Sequence, residues 1–421
     1  MTDSLTDVLK AQAKVTAGGA EALTQTEAAL RRFVWFPEPR HFDVVTLWTA
    51  YTHLLTRCPD LPIAPRLGFF SGSPGSGKTR ALEILSCLAA NGQDVGSLSA
   101  ASMLRIISAA ASADEPGEYP VTLFPDELDR TYSANSAGNQ DDLTIILNSG
   151  YKRGAVVVRA HKDKQQEVIR YPCFGPVAFA GLATARLPDA LLTRTFVVHT
   201  KRARSEERPD SFLPVAHGGQ LEKVRTALAD WAAQTAVRIT DPTDMLAVLL
   251  DERITSVTDG RDHEIWSCLF LTAVLAGGVW PERCLAAIEA AKEDAAERVD
   301  GSASARLLTA LRLHHAARPA HVWPVAISKD DIASAAIDLD PLTFQRFSGP
   351  DELRAEDVAA LLREHGLKQV RVRTAHGRSY GYRWSALADA WERALPPLVA
   401  EYDEEHEGEE PEEKTGSLFR Q

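Results

Sequence analysis

The run Gly72-Ser73-Pro74-Gly75-Ser76-Gly77-Lys78-Thr79 carries the most plainly written chemistry in this chain. Glycines at its first, fourth and sixth positions let backbone N–H groups turn inward. The lysine and hydroxyl that follow complete the spacing that cradles a nucleoside triphosphate. All eight residues are expected to bind phosphate. Lys78 reaches for the β- and γ-phosphates, and the Thr79 hydroxyl is a ligand for Mg²⁺. A helix opening near Lys78 points its positive end at the anion. The second half of such a site is an acid at the end of a buried strand, and "VTLFPDELDR" offers one 48 residues after Lys78. Asp126 is expected to hold Mg²⁺ through its water shell, and Glu127 to orient or polarise an attacking water. Asp129 falls outside that set. A surface acidic turn is the plainer account of the same letters. Pro125 has no N–H, so the strand must already be finishing there. No Asn-Lys-x-Asp or Leu-Ser-Gly-Gly-Gln segment occurs, which leaves ATP as the expected ligand.

These residues need a scaffold. Leu67 to Phe70 reads as a first buried strand, and "VTLF", "AVVV", "PVAFAGL" and "TFVVHT" read as others, separated by helical patterns. Alternation of that kind predicts a mostly parallel sheet in a three-layer α/β core over residues 67–205. Residues 1–66 are predicted helical, with Val44, Leu47, Trp48, Tyr51, Leu54 and Leu55 at helical spacing. Residues 206–316 turn alanine-rich and helical, as a lid over the base would. A smaller mixed segment spans 317–398, and a tail spans 399–421.

Composition bounds the rest. With 421 residues, 45% hydrophobic and 25% charged, the chain has room for two or three ordinary globular domains. No apolar run approaches a membrane span, and the first residues lack the layout of a secretory signal. The five cysteines, Cys58, Cys87, Cys173, Cys268 and Cys284, show no metal or disulfide spacing, which fits a reducing cytoplasm. The net charge of −12 is uneven: from Glu401 onward nine acids face Lys414 and Arg420, a net of −7, which leaves −5 for the other 400 residues. A tail so poor in apolar residues is expected to be disordered. It is either a solubilising tail or an acidic mimic that competes for a basic groove or recruits a basic partner.

In "GLATARLPDALLTRTFVVHTKRAR" a strand ends near Thr184, Pro188 opens a short helix, and Arg194 closes it before another strand. Arg194 is a candidate finger for a neighbouring subunit's γ-phosphate. A plain arginine at a helix C-terminus explains it nearly as well. Thr184 is a candidate polar sensor. Arg261 and Arg283 are candidate lid arginines, with surface salt bridges as the alternative.

Taken together, "TLWTAYTHLL", "APRLGFFSGSPGSGKTRALEIL", "FPDELDR", "ILNSGYKRGAVVVRA", "LPDALLTRTFVVHTKR" and "RDHEIWSCLFLTAVLAGGVWPERC" resemble an uncharacterised P-loop ATPase family, a domain of unknown function. That family occurs in phage and mobile-element proteins, often behind primase-like modules. The likeness extends over most of residues 30–290, and "LLREHGLKQVRVR…GYRW" resembles the family's C-terminal segment. It implies an AAA+-like ATPase in replication or a related DNA transaction, using ATP and Mg²⁺, assembling with its own kind and possessing a primase or replication partner. Phe124-Pro125 departs from the apolar pair that the family usually carries there.

Two segments suit nucleic acid. "AVVVRAHKDKQQEVIRYP" reads as a hairpin tipped by Lys162 and Lys164 and flanked by Arg159 and Arg170, with Lys152 and Arg153 just before it. It is either a grip on a phosphate backbone or a solvated surface hairpin. In "AEDVAALLREHGLKQVRVRTAHGRSYGYRW", Val358, Leu361 and Leu362 give a helix one buried face and Gly366 stops it. A hairpin follows that bears Lys368, Arg371, Arg373, Arg378 and Arg383, the outline of a winged helix. Tyr380, Tyr382 and Trp384 alternate there, for stacking on bases or for core packing. The expected activity is ATP hydrolysis coupled to a DNA transaction, as a helicase, a helicase loader or a primase-associated protein. The rivals are an ATP-operated assembly switch in phage defence or regulation, and a small-molecule kinase.

Overall fold

The computed structural model describes residues 18–72, 74–96, 98–113, 119–126, 128, 137–160, 168–182, 187–238, 248, 251–258, 260–317, 325–345, 347, 351–374 and 377–395. The chain divides into two units, residues 1–291 and 292–421.

The first unit begins with helices α1 (Gly19–Phe33) and α2 (Pro39–Arg57), strand β1 (Arg66–Ser71) and helix α3 (Lys78–Leu88). It continues through β2 (Gly92–Gly96), α4 (Ala100–Ala111), β3 (Thr122–Pro125), α5 (Ala137–Ser149), β4 (Val156–Ala160) and β5 (Val168–Pro172). Then come β6 (Ala178–Leu182), α6 (Asp189–Leu192), β7 (Thr195–His199), α7 (Pro214–Arg238), α8 (Glu252–Thr255), α9 (Gly260–Ala276) and the first part of α10 (Trp280–Gly301), which runs past residue 291.

Strand β1 lies between β6 and β7 and runs parallel to both. Leu67 faces Ala178, Ser71 faces Leu182, Arg66 faces Thr195 and Phe70 faces His199. Strands β2 and β3 also pair in parallel, with a bulge between Asp94 and Gly96. A bridge from Leu123 to Val177 joins β3 to β6, so the order reads β2-β3-β6-β1-β7. Parallel strands covered on both faces need apolar residues at successive positions, and here neighbours along a strand feed opposite cores. Leu67 and Phe69 enter one core with residues of α1, α2, α3, α7 and α9. Phe70, Leu123 and Phe179 enter another with residues of α4 and α5. The unit is therefore α/β, with helices on both faces of the sheet.

Helix α2 starts with Pro39, whose fixed φ suits a first turn. Every residue from His41 to Leu55 is buried, the polar ones included. Thr49 and Thr52 return their hydroxyls to the carbonyls of Val45 and Thr49, which removes the need for water. His53 Nε2 lies 2.9 Å from the Leu88 carbonyl and satisfies an end group of α3. Strands β4 and β5 form an antiparallel hairpin from Val156 opposite Pro172 to Ala160 opposite Val168. Lys162 and Lys164 lie outside the described residues.

The second unit contains α11 (Ala303–Ala316), β8 (Ala326–Ser328), α12 (Lys329–Leu339), α13 (Pro341–Phe344), α14 (Ala355–Glu364), β9 (Val370–Thr374), β10 (Gly377–Arg383) and α15 (Trp384–Ala394). Its strands form an antiparallel sheet in the order β8-β10-β9. Leu307, Ile332, Phe344, Val358, Leu362 and Leu387 share its core with Tyr382 and Trp384. Those two aromatics are 1% and 6% exposed, against 50% for Tyr380, so core packing rather than stacking claims them. Among the described residues no helix is long and apolar enough to cross a membrane.

Candidate functional site

Strand β1 ends at Ser71, the loop turns over Gly72–Gly77, and α3 begins at Lys78. The turn depends on backbone that only glycine adopts easily: φ is +73° at Gly75 and +85° at Gly77, the residue that caps α3. A Cβ built at Gly72, Gly75 or Gly77 meets no atom within 4 Å, so open space surrounds the loop. Lys78 lays its ammonium across the loop, donating to Ser71 Oγ and, at 3.2 Å, to Ser76 Oγ. Ser73 lies outside the described residues.

Strand β3 delivers the acid. Pro125 is its last residue, where the missing N–H costs no ladder bond, and Asp126 N–H donates to the Gly96 carbonyl at 2.9 Å. The Thr79 hydroxyl donates to Asp126 Oδ2 at 2.8 Å, across 47 residues of sequence. Hydroxyl and carboxylate are hard oxygen donors of the kind Mg²⁺ takes. With its proton given to Asp126, the Thr79 hydroxyl keeps an oxygen lone pair for the ion, and the carboxylate would stand beside it to hold the ion's water shell. The pair therefore fits that ion. Glu127, next in sequence, lies outside the described residues, as do Asp129 and Thr184.

Thr200, just past β7, escaped the sequence reading. It is buried at 4% exposure, and its hydroxyl stands 3.2 Å from both the Phe70 carbonyl and Ser76 Oγ. It thus pins the loop to the neighbouring strand. The only sequence signal is a polar residue closing the apolar run "TFVVHT". A cleft of ≈ 340 Å³ opens beside the loop, walled by Trp35, Ser76, Gly77, Arg80, Arg202 and Arg208. Its size falls within the range of small-ligand sites. Arg80 braces one side, its guanidinium 5.6 Å from the Phe212 ring and 3.3 Å from the Phe212 carbonyl.

Arg194 stands elsewhere. The next residue, Thr195, pairs with Arg66 at the start of β1, whereas the loop leaves the other end. Five residue steps of strand, about 16 Å, separate the two ends. Arg194 packs over the Tyr151 ring at 5.0 Å and donates to the Ala190 carbonyl. Burial, and then Arg261 nearby, hold its guanidinium below the ordinary value. Arg261 stacks on the same ring at 5.2 Å and bonds the Tyr151 hydroxyl and Glu264. Of the two accounts given for Arg261, the salt bridge is the one seen, and the residue shares a cluster with Arg194 at the end of the sheet away from the loop. Arg283 is salt-bridged as well. It bonds Glu27 at 2.7 and 2.8 Å and also Asp43, tying α10 to α1 and α2. Arg159 pairs with Asp142 at 2.7 Å, and Arg153 bonds the carbonyls of Leu61 and Leu55.

A family model described as "Protein of unknown function (DUF3631)" matches residues 199–394. The match runs from the last residue of β7 to the last of α15, so the phosphate loop and Asp126 precede it. It falls later in the chain than the likeness over residues 30–290 set out above. No curated protein matches this chain. Among solved structures, "SCCmec type IV Cch - active helicase" is similar at 10% identity and a TM-score of 0.39, over 81% of this chain and 68% of that one. A crystal structure of JCV helicase with a bound small molecule is similar at 12% identity and a TM-score of 0.26, over 59% of this chain and 64% of that one. At those TM-scores neither likeness bears on fold or function.

Proposed function

We propose that this chain binds ATP with Mg²⁺ at the phosphate loop, hydrolyses it, and couples the hydrolysis to a DNA transaction of helicase-like kind. The observation that carries the reading is the Thr79–Asp126 hydrogen bond, which joins the loop's hydroxyl to the strand-end acid. Loop N–H groups and Lys78 hold the phosphates, and Thr79 with Asp126 holds Mg²⁺. The bound ion supplies charge neutralisation on the phosphate oxygens. Glu127, directly after Asp126, orients water for attack on the γ-phosphorus and accepts its proton. One P–O bond forms to water and the bridging bond to ADP breaks. The cleft beside Trp35 takes the nucleoside.

Arg194 cannot reach the loop of its own chain, so as a finger it serves a neighbouring copy in an assembly of an AAA+-like kind. The same placement supports the second reading, in which nucleotide controls assembly and DNA contact is incidental. In the second unit, the succession of helix, strand, three helices and basic hairpin is read as a winged helix that contacts DNA. The deciding experiment measures ATP hydrolysis with and without single- and double-stranded DNA, using Lys78→Ala as the control. The motor reading expects stimulation by DNA and at least a ~100-fold loss in the variant, the sum of two or more charged hydrogen bonds to phosphate. Equal rates with and without DNA across a salt series overturn the coupling. Hydrolysis that survives Lys78→Ala overturns the site.

A further inference from the structure

Charge is segregated in the second unit. From Lys368 to Arg383 the sequence holds five basic residues and no acid. The helices that precede this hairpin carry the acids: Asp330, Asp331 and Asp338 on α12, and Glu356, Asp357 and Glu364 on α14. Register decides what the hairpin displays. Arg371 stands opposite Tyr380, and Arg373 opposite Arg378. Cross-strand partners share a face, as do residues two apart. Arg371, Arg373, Arg378 and Tyr380 therefore crowd one face, and all four are exposed. Tyr382, next along that face, is instead buried and anchors the hairpin's inner end. Among the described residues, the ion pairs seen in this unit engage Arg306, Arg354 and Arg393, away from the hairpin.

We infer that this face of β9 and β10 binds single-stranded nucleic acid, its arginines on phosphates and a base stacked on Tyr380, while α14 stays out of any duplex groove. The inference rests on the reading above that the chain acts on DNA. A half-exposed ring among cations matches the pairing of stacking platform and basic track that unpaired strands need. A helix entering a major groove runs between two rows of phosphates, and α14, whose Glu356, Asp357 and Glu364 outnumber its one basic residue Arg363, opposes that approach. Contact thus falls to the hairpin, and with it comes backbone and base-face recognition rather than the reading of base edges.

The test uses the full chain without nucleotide, with fluorescence anisotropy on labelled oligothymidine and on a blunt duplex of equal length. The single strand is expected to bind more tightly. With about −0.7 per phosphate, three arginines give a log–log salt slope near −2, or about 20-fold weaker binding between 50 and 200 mM salt. Arg373→Ala flattens that slope by about 0.7. Tyr380→Ala weakens the single strand roughly 5- to 150-fold and Tyr380→Phe preserves it. A thermal midpoint shared by these variants and the wild type separates lost contact from lost fold, and Arg371→Glu provides a second variant should Tyr380→Ala unfold. Equal or tighter binding of the duplex, no effect of Tyr380→Ala, or no binding of either oligonucleotide overturns the inference. ATP hydrolysis in the absence of DNA is measured alongside. Its failure counts against the phosphate loop and leaves the strand-binding result standing.

Discussion

Thr79 and Asp126 meet through one hydrogen bond of 2.8 Å, so removing either partner disturbs the same object. Thr79→Ala deletes the hydroxyl; Asp126→Asn keeps the shape and discards the charge. Losing a partner that orients a metal ligand typically costs 10–100-fold in metal affinity, or about 1.4–2.7 kcal/mol. Were the two side chains independent, the double variant would multiply these effects to roughly 10²–10⁴-fold. Coupled through the bond, it loses little more than the worse single variant. The coupling energy then matches the smaller single effect, within the ~0.5–3 kcal/mol seen for residues in contact. The assay is Mg²⁺-dependent binding of a fluorescent ATP analogue, titrated with Mg²⁺ for the wild type, both single variants and the double. Binding without Mg²⁺ serves as the baseline. Multiplicative losses, or an unchanged Mg²⁺ requirement in both singles, would refute the shared site.

Two further outcomes follow from buried groups at either end of α3. Thr200→Val keeps the volume and the backbone N–H bond to the Phe70 carbonyl but removes the hydroxyl beside Ser76, so denaturant unfolding should show a loss of about 1 kcal/mol. ATP half-saturation should rise as the loop loosens; unchanged values in both measurements would dismiss Thr200 as a brace. His53 is fully buried, and burial lowers its pKa from 6.5 to about 4. With the folded value below the unfolded one, its contribution is complete above pH 6.5 and is lost as pH falls toward 4. Those 2.5 units, from 6.5 to about 4, amount to about 3 kcal/mol. Denaturant midpoints at pH 7, 5 and 4 should fall less steeply for His53→Gln, and parallel curves would show that another group carries the acid sensitivity.

What could be read in advance tracks how local the cause is. The loop, the strand before it and the helix after it are contiguous, so residue types alone show them. Asp126 was also legible, because an acid closing an apolar run is a local pattern and Pro125 marks the strand's end. The lid arginines were not. Arg283 owes its place to Glu27 and Asp43, more than 200 residues away in sequence. Arg261 owes its place to Tyr151, 110 residues away. A helical arginine shows no local sign of which distant carboxylate or ring will meet it. Tyr380, Tyr382 and Trp384 show the same limit: their alternation was visible, but strand β8 crosses only the inner end of the hairpin. Tyr382 pairs with Ile327 there, and Tyr380 lies beyond it.

The buried helix α2 bears most on how the site is built. An amphipathic helix docked on a finished domain keeps one polar face in water; α2 keeps none from His41 to Leu55. Its His53 bonds the last residue of α3, the helix that the phosphate loop opens. Trp48 Nε1 donates to the Pro65 carbonyl at 2.8 Å, and Tyr51 donates to the Ile63 carbonyl at 2.8 Å, both on the approach to β1. One helix thus grips the segment that enters the loop's strand and the end of the helix that leaves it. The preceding helix α1 leads into Trp35 on the cleft wall. Residues before the glycine-rich motif are therefore part of the loop's frame, and a fragment beginning at β1 would keep the motif while losing the side chains that hold it in place.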